Sequence, residues 1–313
     1  MSFSTTVKEE ISRHIGSARH CQLAELSAMF YFCGNFEQKN GMIAKIFLIF
    51  ENELSALKGF TLLKKTFNIY SGHEFSDVVE KEGSTFKLSY VEEAFSENKS
   101  DENTKGKTVT PQIIYDALLS HTTIQKACCR RAFLRGAYLC GGSVSDPEKS
   151  YHLEIVCKQQ DIADKLIDIL STFDIKAKIV ERGKYYVVYI KESAAIVTAL
   201  NVIEAPVAMM EMENAIILKD MRNSINRRNN CDTANIIKTA SAAAKQIEDI
   251  KIVMASKEYK VLSDSLKELC ELRLENSEAS LKELGEMLNP PLGKSGVNHR
   301  LRKITELAEQ IRS

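Results

Sequence analysis

The sequence predicts an α+β protein: a duplicated α/β body followed by an all-α C-terminal region. Three observations predict it. Two segments about a hundred residues apart repeat one order of helical and strand-like patterns. Strand-like runs stop near Pro206. Beyond that point apolar residues recur in steps of three and four, the period of a helix face.

The first copy opens on Ala24-Glu-Leu-Ser-Ala-Met-Phe-Tyr-Phe-Cys-Gly-Asn, an apolar helical stretch closing on Gly34. The second opens on Arg131-Ala-Phe-Leu-Arg-Gly-Ala-Tyr-Leu-Cys-Gly-Gly-Ser, closing on Gly142. A strand follows each, Ile43 to Glu51 and Tyr151 to Val156. Next comes an amphipathic helix ending in Phe67-Asn-Ile or Phe173-Asp-Ile, then a further strand, Thr85 to Val91 or Tyr185 to Lys191. Between the copies, Glu92 to Pro111 is polar and aperiodic, an exposed connector.

Past the second copy, Met209 to Met221 predicts a helix. The run Arg222 to Asn230 is polar and basic, and Asp232 or Thr233 is placed to cap the helix after it. That helix carries a narrow stripe of Ile236, Ala240, Ala243, Ile247, Ile250 and Met254. These patterns divide the chain into a body at 1–218 (repeats at about 1–115 and 120–205), a basic linker at 219–230 and a helical domain at 231–313.

Three further helices close the chain. Leu262, Leu266 and Leu269 line the first. Ser280 and Glu283 form a capping box for the second, which buries Leu281, Leu284 and Leu288 and stops at Asn289-Pro-Pro. Ser295 is placed to cap the third, which buries Val297, Leu301, Ile304, Ala308 and Ile311. Helix, short turn and helix at about 260–312 predict a helix-turn-helix.

Opposite the buried stripe of the last helix lie Ser295, Asn298, His299, Arg302 and Lys303, flanked by Lys294 and Arg300. From Asn289 to Lys303 there is no acidic residue. Arg302 is suited to a bidentate pair with guanine and Asn298 with adenine. Lys294, Arg300 and Lys303 are suited to phosphates. The same face also fits a solvated dimerisation hairpin; the coincidence of helix, turn and acid-free face favours double-stranded DNA. Arg222, Arg227 and Arg228, and Arg130 and Arg131 ahead of the second repeat, are weaker candidates. For them a phosphate contact and a solvated or salt-bridged role stay open.

Overall charge offers no guide, because 42 basic residues balance 42 acidic ones; nucleic-acid binding has to come from local patches. The eight cysteines contain no C-x-x-C pair, the adjacent Cys128 and Cys129 are poorly spaced for a metal, and the six histidines are scattered. Buried reduced thiols are expected, with no cofactor and no metal. No apolar signal core or membrane-length run occurs, so a cytoplasmic location is expected and no membrane partner.

The two opening helices resemble the LAGLIDADG motifs of homing endonucleases. In that family the last acidic residue of each motif holds a divalent cation. Alignment on the terminal glycines puts Leu26 and Leu134 at the first motif position and the acidic positions on Cys33 and Gly141. Neither supplies the oxygen ligand a hard cation needs. Asp146, Glu148, Glu37 and Glu51 are the nearby carboxylates from which a relocated site would be built. No phosphate loop or nucleophile motif occurs elsewhere, so no enzyme activity is expected.

Over essentially its whole length the chain resembles the WhiA family of bacterial regulators. The resemblance rests on Ser2-Phe-Ser with Val7-Lys-Glu-Glu, Cys129-Arg-Arg-Ala-Phe-Leu-Arg-Gly-Ala, Gly141-Gly-Ser-Val and Asp146-Pro-Glu-Lys-Ser-Tyr-His-Leu-Glu. It continues through Arg222-Asn, Asn226-Arg, Asn230-Cys-Asp-Thr-Ala-Asn, Lys238-Thr and Leu272-Arg-Leu-Glu-Asn to Gly296-Val-Asn-His-Arg-Leu-Arg-Lys. It implies a non-cutting LAGLIDADG-like domain joined to a helix-turn-helix that binds promoters. The implied processes are cell division, chromosome segregation or sporulation, in the cytoplasm at the nucleoid. Two alternatives remain: a cell-division scaffold with weak DNA anchoring and division or transcription partners, and a residual metal-dependent endonuclease. Monomer and dimer are both open.

Overall fold

The computed structural model describes residues 2–69, 73–91, 109–120 and 124–312, which form two compact units, Met1–Lys219 and Asp220–Ser313. Most of the predicted connector, residues 92–108, lies outside the described residues.

In the first unit, α1 (Phe3–Arg13) starts at Ser2, whose hydroxyl accepts from the Thr5 N–H. α2 (Arg19–Cys33) runs into β1 (Gly34–Lys39) and β2 (Met42–Phe50). Asn40 and Gly41 both have positive φ, 55° and 83°, as a two-residue hairpin turn requires. α3 (Glu53–Phe67) is capped by Asn52 and ends on Asn68 at φ 55°. The short α4 (Phe75–Val78), β3 (Val79–Glu82) and β4 (Thr85–Val91) complete an antiparallel sheet of order β1-β2-β4-β3.

After α5 (Pro111–Leu119) the pattern repeats. It comprises α6 (Ala127–Gly141), β5 (Gly142–Val144), β6 (Leu153–Cys157), α7 (Gln160–Ser171), β7 (Lys178–Arg182) and β8 (Tyr185–Ile190). The second sheet has the order β5-β6-β8-β7, the same as the first. α7 gives way to Asp174 at φ 59°, matching Asn68, so Phe-Asn-Ile and Phe-Asp-Ile mark one turn in both copies. The duplicated reading holds. The edge strands β1, β3, β5 and β7 and the helices α5 and α8 (Ser193–Val202) lack a distinctive period and emerge only in the structure.

α2 and α6 pack face to face, with Leu26 and Leu134 fully buried. A Cβ built on Gly136 would lie 2.5 Å from the Glu25 carbonyl oxygen and 3.0 Å from the Ala28 Cβ, so glycine permits this approach. An ionic set is sealed in the same place. Glu25, Lys58 and Arg135 are each no more than 2 % exposed. Arg135 forks onto Glu25 (Nε to Oε1 3.0 Å, Nη2 to Oε2 2.8 Å) and also pairs with Glu204. Lys58 pairs with Glu25 and donates to the Ile11 carbonyl at 2.7 Å. Burial pushes the Lys58 ammonium down to about 8 against the pull of Glu25.

α9 (Pro206–Ala255) begins in the first unit, where Glu10 accepts from the N–H groups of Val207 (2.7 Å) and Ala208 (3.0 Å). A carboxylate there also complements the helix dipole. The helix corrects the predicted linker. Residues 219–230 are helical, and Asp232 and Thr233 lie inside the helix rather than at its start. The run contains neither proline nor glycine to break it, and its polarity reflects exposure on every side between residues 220 and 242.

In the second unit α9 contributes Ile250 and Val253 to a core completed by α10 (Asp264–Glu275), α11 (Leu281–Met287) and α12 (Lys294–Arg312). A 3-10 turn, Lys257–Val261, leads into α10. The core comprises Leu269, Cys270, Leu284, Leu288, Val297, Leu301, Ile304 and Ala308. The predicted stripe is split: Ile250 is buried, whereas Ile236 is 68 % exposed. Among the described residues, no helix is long and apolar enough to cross a membrane.

Candidate nucleic-acid interface

The capping box sets where α11 begins. Ser280 N–H donates to Glu283 Oε2 at 2.7 Å, and Glu283 N–H donates to Ser280 Oγ at 3.3 Å. The turn to α12 then folds back tightly, with Leu292 N–H donating to the Gly285 carbonyl at 2.8 Å. A Cβ on Gly285 would sit 2.0 Å from the Leu292 oxygen, so only glycine allows this closure. Glu268 of α10 accepts from the Asn289 N–H at 3.1 Å and ties the turn to the neighbouring helix.

α12 begins two residues earlier than predicted. Val297 N–H bonds to the Gly293 carbonyl at 3.1 Å, so Gly293 holds the capping place and Ser295 sits in the first turn. Its far end is fixed by Arg312, which pairs with Glu248 at 3.0 Å and with buried Asp249 at 3.1 Å. Anchored at both ends, α12 presents Lys294, Ser295, Asn298, His299, Arg302 and Lys303 as exposed residues along one helix. Among the described residues Arg302 and Lys303 have no protein partner. Arg300 differs: it is half-buried and donates to the Ser265 carbonyl at 3.3 Å, which ties it to α10. Its tie was invisible to helix periodicity, because it depends on where α10 begins.

The weaker candidates separate. Arg222, Arg227 and Arg228 are exposed on α9. Arg130 donates to the carbonyls of Ile124 and Gln125, at 3.3 and 3.2 Å, and the Arg131 guanidinium lies 5.7 Å from the Phe173 ring centre. Both are held within the body by local contacts.

At the C-terminal ends of α2 and α6, where the endonuclease motif carries its acids, lies an open cleft of about 660 Å³. Lys8, Glu9, Glu51, Lys158 and Gly141 are among the residues lining it. Cys33 is buried, and a Cβ on Gly141 would meet the Val156 oxygen at 2.7 Å, so both positions serve close packing. Burial beside the Cys33 sulfur pushes the Cys140 thiol well up. Of the four carboxylates suggested for a relocated cation site, only Glu51 lines the cleft. Glu37 faces Lys45 at 4.0 Å, and Asp146 accepts from the Glu148 N–H at 3.0 Å. Among the described residues no group of three or more ligating side chains gathers at this end. Lys8 and Glu9, which the sequence reading passed over as cleft residues, fall in the Val7-Lys-Glu-Glu block.

Comparison with known proteins converges on one family. Residues 225–308 match the WhiA C-terminal HTH domain, and residues 130–222 match the WhiA LAGLIDADG-like domain. The chain is 48% identical to the probable cell division protein WhiA of Lachnoclostridium phytofermentans, covering 100% of both chains. It is 43% identical to that of Alkaliphilus oremlandii, over 99% of this chain and 98% of the relative. The crystal structure of full-length DUF199/WhiA from Thermatoga maritima superposes with a TM-score of 0.59 at 25% identity, covering 99% of each chain.

Proposed function

The chain belongs to the WhiA family, whose curated relatives are named cell division proteins, and from that premise we propose that it is a sequence-specific transcription regulator without nuclease activity. Its DNA is duplex promoter DNA, and its genes are those of division, chromosome segregation or sporulation, acted on in the cytoplasm at the nucleoid. The observation that carries this reading is α12. Asn298, Arg302 and Lys303 are exposed on a helix tied at both ends, and among the described residues their side chains have no protein partner. Rigid placement keeps the ordering cost of recognition low. Asn298 and Arg302 read bases, while Lys294 and Lys303 hold phosphates. Loss of the motif carboxylates at Cys33 and Gly141 supports a body that does not cut.

Genomic affinity selection tests both halves of the proposal. Purified full chain is mixed with sheared DNA of its own genome in the presence of Mg²⁺, and bound fragments are sequenced. Sharp peaks upstream of genes, with ordinary fragment ends, are expected. A flat profile would overturn sequence-specific regulation, and fragment ends piled at one position would overturn the absence of cutting.

A further inference from the structure

The ends of α2 and α6 opposite the cleft carry a cluster that no motif spacing revealed. His20 and Cys21 lie in the first turn of α2, and Cys128 and Cys129 in the first turn of α6. The step along the chain that carries Gly34 onto Gly142 also carries His20 onto Cys128 and Cys21 onto Cys129. The duplication therefore places two adjacent pairs across the internal twofold. The ring nitrogen and three sulfurs all lie within 4.8 Å of one another. His20 Nδ1 is 3.3 Å from both Cys21 Sγ and Cys129 Sγ.

We propose that His20, Cys21, Cys128 and Cys129 form a closed structural Zn²⁺ site that clips the N-terminal ends of α2 and α6 together. Three sulfurs and one imidazole are a tetrahedral zinc donor set, and bonds of about 2.3 Å to sulfur put neighbouring donors about 3.7 Å apart, within the spread found here. Soft thiolates favour zinc over the hard cations of nucleases. Binding releases three thiol protons and leaves every sulfur at its original oxidation level. The resulting centre carries one net negative charge. It sits at two helix N-termini whose leading residues, Ala18 and Lys126, make no side-chain cap, so the helix dipoles face that charge. Cys129 is buried while His20 and Cys128 are exposed, which gives an ion an entry path. All four protein positions are filled by the chain, so the site is structural rather than catalytic.

Zinc content of the full chain, purified without a histidine tag under reducing conditions, tests the proposal. About one zinc per chain is expected. Cobalt replacement should give the strong visible bands and the sulfur-to-cobalt charge-transfer band of a tetrahedral thiolate centre. Both should vanish in the Cys21→Ser/Cys129→Ser variant. Chelation should lower the unfolding temperature of the wild-type chain, with recovery on adding Zn²⁺ and none on adding Mg²⁺; this arm needs no variant to fold. A wild-type chain that retains no zinc and gives no cobalt spectrum would overturn the site. So would a cobalt spectrum unchanged in the variant.

Discussion

α6 and α12 carry similar runs of cations, and the structure uses them in opposite ways. On α6, Arg135 is 2 % exposed and saturated by Glu25 and Glu204, while Arg130 and Arg131 are taken up by carbonyls and a phenyl ring. On α12, Arg302 and Lys303 face solvent and have no protein partner among the described residues. The difference teaches that a basic run announces nothing until its carboxylates are located. Where an acid is sealed beside it, the charge holds the fold together. Where the neighbouring acids are absent, as from Asn289 to Lys303, the charge is available for something outside the chain.

The sharpest way to break the comparison is to remove Arg135. Arg135→Ala leaves Glu25 buried with only Lys58 and should cost the first unit about 3–5 kcal/mol, measured by denaturant unfolding. A loss below about 1 kcal/mol would mean that the ionic set does not hold the helix pair. Gly285→Ala comes next. Its Cβ would collide with the Leu292 carbonyl, so the second unit should lose about 1–3 kcal/mol while the first unfolds as before. Unchanged thermal unfolding of the second unit would refute the tight turn.

Arg302→Ala should do the reverse of Arg135→Ala. Stability should be unaltered, while affinity for a selected site falls by about 1–3 kcal/mol and preference at one base relaxes. Lys303→Ala should weaken all sequences alike and lower the salt slope by about one. Binding isotherms at several salt concentrations separate the two, and an Arg302→Ala protein with unchanged affinity and preference would dismiss α12 as the reader.

The most gradual effect concerns pH. Lys58 falls from 10.5 to about 8 on folding because burial disfavours its charge. Between those values the unfolded chain binds more protons, so this group makes stability rise as pH rises, by no more than about 1.4 kcal/mol per unit. Lys58→Met should remove that rise from the unfolding free energy between pH 8 and 10.5. Identical slopes in the two proteins would contradict it.

What could be read from the sequence was local or periodic. The Ser280–Glu283 box, the paired Phe-Asn-Ile and Phe-Asp-Ile turns and the stripe on α12 each follow from neighbours along the chain. The helical path through Arg222 to Asn230 was hidden because an unburied helix shows no apolar face. Arg300 was separated from Arg302 only by the position of Ser265. Glu25 sits fully buried within an apolar motif, where composition alone would place a carboxylate outside. The cluster at His20 was concealed because its two halves lie one repeat apart, and no spacing rule spans that distance.

The buried ion set also makes the two copies unequal. The step that superposes the copies puts Phe133 where the first has Glu25, and Ser27 where the second has Arg135. Two first copies joined as a symmetric dimer would bury paired Glu25 carboxylates without their arginine forks. Two second copies would bury paired Arg135 side chains with no Glu25 to receive them. Self-association of either half would therefore leave the set incomplete, with Lys58 alone on Glu25 or Glu204 alone on Arg135. Separately produced halves should pair with each other in preference to themselves, as size-exclusion chromatography of the mixture would show.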